Sequence, residues 1–136
     1  MTRPLQVYVA AASTEIDRAR SVMDELRFRG AKIVGDWTGR AEGDPDGLQL
    51  TEVDRAIASD EQLLAMRHAD VVLLLVPVET TTVGAWVEIG CAWANRIPVI
   101  ASYPGARLPF MAAWAFHELT DADAITRALR VGERVR

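Results

Sequence analysis

An α/β three-layer sandwich with a parallel sheet of four or five strands is the fold class this sequence predicts, and three observations predict it. Val71 to Val76 is an unbroken apolar run closed by Pro77, the signature of a strand covered on both faces rather than one. Short apolar runs alternate with helical patterns along the whole chain, as in folds that place helices on both sides of one sheet. The first such unit is strand, helix, strand with a short turn, which implies a parallel, right-handed crossover. With 136 residues, the chain suits one domain spanning residues 1–136.

The elements follow in order. Leu5 to Ala11 reads as a first strand buried on both faces. Ser13 or Thr14 is placed to cap a helix, and Thr14 with Asp17 has capping-box spacing. Ile16, Ala19, Val22, Met23 and Leu26 form that helix's apolar stripe, and Gly30 stops it. Ala31 to Trp37 is the second strand. Thr38 to Gly47, with Gly39, Gly43, Pro45 and Gly47, is a breaker-rich loop. Leu48 to Ala69 is helical in two pieces: Thr51 caps the first, and Ser59 with Gln62 repeats the capping-box pattern, so a fresh helix is expected near Asp60. The third strand, Val71 to Val76, is the expected sheet centre. Thr82 is placed to cap the helix carrying Glu88, and Ile97 to Ser102 is the fourth strand. Leu108 to Ala113 suggests a short helix and Trp114 to Leu119 a fifth strand. Thr120 with Asp123 caps a last helix through about Arg130. The strand order expected is flavodoxin/Rossmann-like, 2-1-3-4-5.

Composition excludes several classes of function. The net charge of −4 offers no basic field for a nucleic-acid backbone. The longest apolar runs fall well short of a membrane span, and no secretory leader pattern is present, so a cytoplasmic protein is expected. A single cysteine, Cys91, leaves no intramolecular disulfide and no cysteine-rich zinc site. His68 and His117 are isolated, without metal-ligand spacing. Neither a metal nor a cofactor is expected.

One residue stands out. Glu88 is the only charge between Glu79 and Arg96, on a helix otherwise built of Val, Ile, Ala, Trp and Cys. A lone carboxylate on such a helix is solvated in a cleft, paired, or functional; the bland alternative is an exposed stripe. In a parallel sheet the ligand site lies beyond the carboxyl ends of the strands. Ala11 and Ser13 follow the first strand there, Asp36 and Trp37 end the second, and Thr82 and Gly84 precede the Glu88 helix. These six are the expected substrate-binding residues, Trp37 among them as an aromatic face beside the cleft. A helix from Asp60 to Ala69 is about 15 Å long, and the strand after it returns about 20 Å. Asp60 is therefore expected at the same edge as Glu88. Two carboxylates in one cleft suit a nucleophile and a general acid, as in retaining glycosidases. The alternative for Asp60 is a first-turn Asp favoured by the helix dipole.

Tyr8 in Val-Tyr-Val-Ala, Asp60 ten residues before Asp70 of Ala-Asp-Val-Val, and Gly84-x-x-x-Glu88-Ile89-Gly90 followed by the strand after Pro98 together resemble the nucleoside 2-deoxyribosyltransferase family. That family includes the 2′-deoxynucleoside 5′-monophosphate N-hydrolases. The resemblance runs from about Leu5 to Ser102. It implies a Glu88 nucleophile that attacks the anomeric carbon of a deoxyribose, Asp60 assisting departure of the base, and Tyr8 holding the nucleophile by its hydroxyl. It also implies a small-molecule nucleoside or nucleotide as ligand. A homodimer or higher homo-oligomer is expected from the apolar side chains of the Glu88 helix and of Tyr103 to Trp114, more than one small sheet can cover. The chain departs from the family in places. The transferases have an Asp six residues before the nucleophile, where this chain has Thr82, and the hydrolases have there a hydroxyl residue that contacts the 5′-phosphate. The hydrolases' glycine-rich, basic first loop is missing, since Ala11-Ala12-Ser13-Thr14 carries no Arg. From Tyr103 onward neither branch is matched. Two other functions fit the same fold: cleavage of the nicotinamide bond of NAD by a Toll/interleukin-receptor-like glycohydrolase, and nucleotide sensing without turnover.

Overall fold

The computed structural model describes residues 3–77 and 83–136. Val71–Leu75 forms β3, buried along its full length, as its lack of apolar–polar alternation requires. It pairs in parallel with β1 (Gln6–Ala11) on one side and β4 (Val99–Ser102) on the other. The edge strands are β2 (Lys32–Ile33) beside β1 and β5 (Phe116–Glu118) beside β4, both parallel. The order is therefore β2-β1-β3-β4-β5, the 2-1-3-4-5 arrangement the sequence predicts.

Helix α1 (Ile16–Phe28) packs on β1 and β2 and meets α5 (Asp121–Val135), which covers β3, β4 and β5. On the opposite face α4 (Gly84–Ala94) lies against β1, β3 and β4, with α3 (Glu52–Met66) beside it. Right-handed crossovers running in opposite directions from β1 place the helices on two faces. The first and last helices, which share one face of the sheet, are tied by Arg18 of α1, whose guanidinium donates to both carboxylate oxygens of Asp121 (3.0 and 2.8 Å) and to the carbonyl of Val76 (2.9 Å). Thr120 caps α5 by accepting from the backbone N–H of Asp123 at 3.1 Å, as its spacing suggests. Among the described residues no helix is long and apolar enough to cross a membrane.

Three local expectations are corrected. First, neither Ser13 nor Thr14 caps α1: its N-terminal flanking residue is Glu15, which makes no side-chain cap bond. Second, β2 ends at Ile33 instead of continuing to Trp37. Gly35 takes a left-handed conformation (φ 63°), and a Cβ there would lie 2.9 Å from the Tyr8 ring, so the chain turns away over the tyrosine. The carbonyl of Val9, which a longer β2 would have paired, instead accepts from the Trp37 indole Nε1 at 2.8 Å, keeping a buried backbone acceptor satisfied. A four-residue helix, α2 (Thr38–Ala41), follows. Third, the helix ahead of β3 is one piece rather than two. Thr51 caps it by accepting from Asp54 N–H at 3.1 Å, and Ser59 sits mid-helix with its hydroxyl donating back to the Ala56 carbonyl at 3.0 Å. Asp60 is therefore not at a helix amino end.

Candidate active site

The site is built where β1, α3 and α4 meet. In α4, Ala85, Ile89 and Ala92 are the buried residues. Glu88 lies three after the first and four before the last, on the same sheet-facing stripe. The small side chains of that stripe let α4 lie close to the sheet and carry the Glu88 carboxyl inward. Tyr8 of β1 is wholly buried and points up between α3 and α4. Its hydroxyl donates to Glu88 Oε2.

The direction of that bond follows from a third residue. Gln62 of α3 sits 2.8 Å from the carbonyl of Gly35 and 2.6 Å from Tyr8 Oη. A carbonyl only accepts, so the Gln62 atom facing it is the amide nitrogen. That nitrogen also donates to Tyr8 Oη, leaving the phenolic proton for Glu88. The chain Gln62, Tyr8, Glu88 is thus a directed relay of donors ending on the carboxyl. Burial pushes the Glu88 carboxyl up to about 8, so in the free protein it holds its proton at neutral pH.

Glu88 and Tyr8 open onto a cavity of about 720 Å³ at the carboxyl ends of the strands. Ala11, Ser13, Trp37 and Gly84 of the expected substrate-binding set line it as well. Trp37 is held by its indole bond and nearly buried, presenting a fixed ring to the cavity. A Cβ on Gly84 would meet nothing within 4 Å, so the glycine leaves open space at the start of α4. The structure does not bring Asp36 or Asp60 to this cavity. Asp36 accepts from the backbone and hydroxyl of Thr38 (3.0 and 2.7 Å) and from Arg27 at 2.9 Å. Those bonds outweigh its partial burial and hold its carboxyl below the usual range. Asp60 is exposed on α3 and absent from the lining, whereas its neighbours Ser59, Gln62 and Leu63 are on it. The expected juxtaposition of two carboxylates required a helix start at Asp60, and an unbroken α3 removes it. Thr82 lies outside the described residues.

Among the cavity residues that have no counterpart in the expected site are Gln62, Arg40 and Arg55. Gln62 entered the sequence reading only as a capping partner of Ser59, and the arginines lie fifteen residues apart in unrelated elements. Among the described residues no group of three or more His, Cys, Asp or Glu side chains is placed to hold a metal ion.

Comparisons with known proteins bear on the fold. No family model matches the sequence, and no curated protein matches it. Solved structures do match, among them a 2-deoxyribosyltransferase from the psychrotolerant bacterium Bacillus psychrosaccharolyticus. The likeness covers 88% of this chain and 90% of that one, with a TM-score of 0.67 and 16% sequence identity. The shared property is the α/β three-layer architecture with its parallel five-stranded sheet.

Proposed function

We propose that this protein is an enzyme that cleaves or transfers the N-glycosidic bond of a 2′-deoxyribonucleoside or its 5′-monophosphate, through a glycosyl ester on Glu88. The observation that carries the reading is the Glu88 carboxyl, half-buried at the wall of a cavity of about 720 Å³ with its Oε2 held by the Tyr8 hydroxyl. In the ionised state a Glu88 oxygen attacks the anomeric carbon while the carbon–nitrogen bond breaks, and its electron pair leaves with the base. Tyr8 keeps its proton and orients the carboxylate, and Gln62 is a positioning residue that orients Tyr8. The departing base takes a proton from water in the open cavity. Water, or the nitrogen of a second base, then displaces Glu88 from the sugar and restores the carboxylate. Trp37 offers a flat wall for the base.

Incubation with deoxynucleosides, their 5′-monophosphates and NAD, followed by chromatography for free base, tests the reading. Base released from a deoxy substrate, with a 2-fluoro sugar analogue adding mass at Glu88, is the expected result. Nicotinamide release alone, or binding without any released base, would overturn it. Because Asp60 is exposed and off the cavity lining, Asp60→Asn should change the rate of base release by less than about threefold, within the small range of a surface substitution. A loss of a hundredfold or more would return Asp60 to the mechanism.

The proposal extends to self-association. Val87 and Trp93 on α4, and Phe110 and Met111 in the turn Phe110–Ala112, are exposed apolar side chains, the kind of surface that a second copy covers. Light scattering should give a mass of two or more chains at micromolar concentration, and a monomer there would refute it.

A further inference from the structure

The cavity is electrostatically lopsided. The wall made by Ala11 to Thr14 and by Val83 to Ala85 is neutral. The lining also includes Arg40 and Arg55, and the only acidic side chains among the described lining residues are Asp46 and Glu88. The two arginines converge on one glycine: a Cβ built on Gly47 would lie 3.5 Å from Arg40 Nη1 and 3.7 Å from Arg55 Cγ.

Neither guanidinium forms an ion pair among the described residues. Each is steadied instead by backbone carbonyls of the loop between α2 and α3. Arg40 donates to Asp44 O and Pro45 O (3.4 and 3.5 Å), and Arg55 to Asp46 O at 3.3 Å. The loop is shaped by left-handed glycines at 43 and 47. The Asp44 carboxylate further holds the N–H groups of Leu48 and Gln49 (2.9 and 3.2 Å). Each arginine has five N–H donors, so several on each point to no described partner. Two like charges gathered without an ion-paired carboxylate among the described residues repel, and an oxyanion bridging them relieves that repulsion through paired, charge-assisted bonds.

We propose that Arg40 and Arg55 form an oxyanion subsite, so that the substrate presented to Glu88 carries a phosphate or carboxylate group at the Gly47 end of the cavity. The inference rests on the glycosidic-bond reading for the identity of the rest of the substrate. The oxyanion has two sources, a 5′-phosphate on the sugar or a carboxylate on the base, and the probes separate them.

Binding is measured by calorimetry in the Glu88→Gln background, which stops turnover. The probe pairs are 2′-deoxyadenosine with its 5′-monophosphate, and 2′-deoxyuridine with its 5-carboxylate. One anionic member should bind about tenfold to a hundredfold more tightly than its neutral parent, and the advantage should shrink as salt rises. Adding Arg40→Gln and Arg55→Gln should erase the advantage and leave the neutral parent's affinity within about twofold. The paired Lys substitutions should restore part of it. Equal binding of anionic and neutral partners, no binding of either anionic probe, or an advantage that survives the double Gln variant would each overturn the subsite. Base release by the unsubstituted chain from all four probes, neutral and anionic, is scored separately. Its absence speaks against the glycosidic reading, not against the arginines.

Discussion

Glu88→Gln should abolish base release, with a loss of about 10³–10⁶-fold in kcat, the range seen when a covalent nucleophile is removed. Gln keeps the size of the side chain and can still accept from Tyr8, so the fold and the cavity should survive. What is lost is the one oxygen able to carry negative charge to the anomeric carbon. The wild-type pH profile should report the same group. Attack needs the ionised form, and burial raises the carboxyl to about 8, so kcat/KM should climb with pH and level off above that value. Tyr8→Phe removes a donor that favours the ionised carboxylate and should move the limb upward. A Glu88→Gln protein retaining a tenth of the activity, or a flat profile between pH 6 and about 9, would sink the covalent mechanism.

The second large effect is on stability, in the opposite direction. The unfolded chain loses the Glu88 proton near 4.5, whereas the folded protein holds it up to about 8. Between those values the folded state binds more protons at Glu88 than the unfolded one, so the contribution of this one group to stability is greatest below 4.5 and is lost as pH rises. The slope is about 1.4 kcal/mol per pH unit, giving a penalty of up to about 3 kcal/mol at pH 7. Glu88→Gln cannot ionise and escapes it. Urea denaturation should therefore find the variant more stable at pH 7 by up to about 3 kcal/mol and indistinguishable at about pH 4. Equal stability of the two proteins at both pH values would mean that the carboxyl is not desolvated as the geometry requires. A residue whose removal stabilises the fold while ending its chemistry is what a function-driven departure from good packing produces.

Much of this was legible in the sequence, for reasons that separate into local and non-local. The continuous apolar run of β3 and the stripe of α1 are local patterns with one structural solution each, and they carry the sheet order with them. Glu88 was legible because it contradicts its surroundings. The break expected at Asp60 was not a misread pattern so much as an ambiguous one. Ser59 and Gln62 have capping-box spacing, yet a serine inside a helix can bond back to the preceding turn, and Ser59 does so to Ala56. The length of β2 depends on a ring from another strand pressing on Gly35, which no window around residue 35 contains. Gln62, Arg40 and Arg55 were hidden for the same reason: their roles exist only once distant elements converge.

The truncated second strand has a wider consequence. A sheet that completed its edge would need residue 36 to supply the N–H now provided by the Trp37 indole, and the indole would be evicted from Val9. The fold thus trades a regular border for a ring on the cavity wall. Substitutions that favour extension past Ile33, however well they suit strand propensity, would compete with the tryptophan for one carbonyl and displace a ring that lines the cavity. In this protein the unfinished edge of the sheet is what seats the Trp37 ring on the cavity wall.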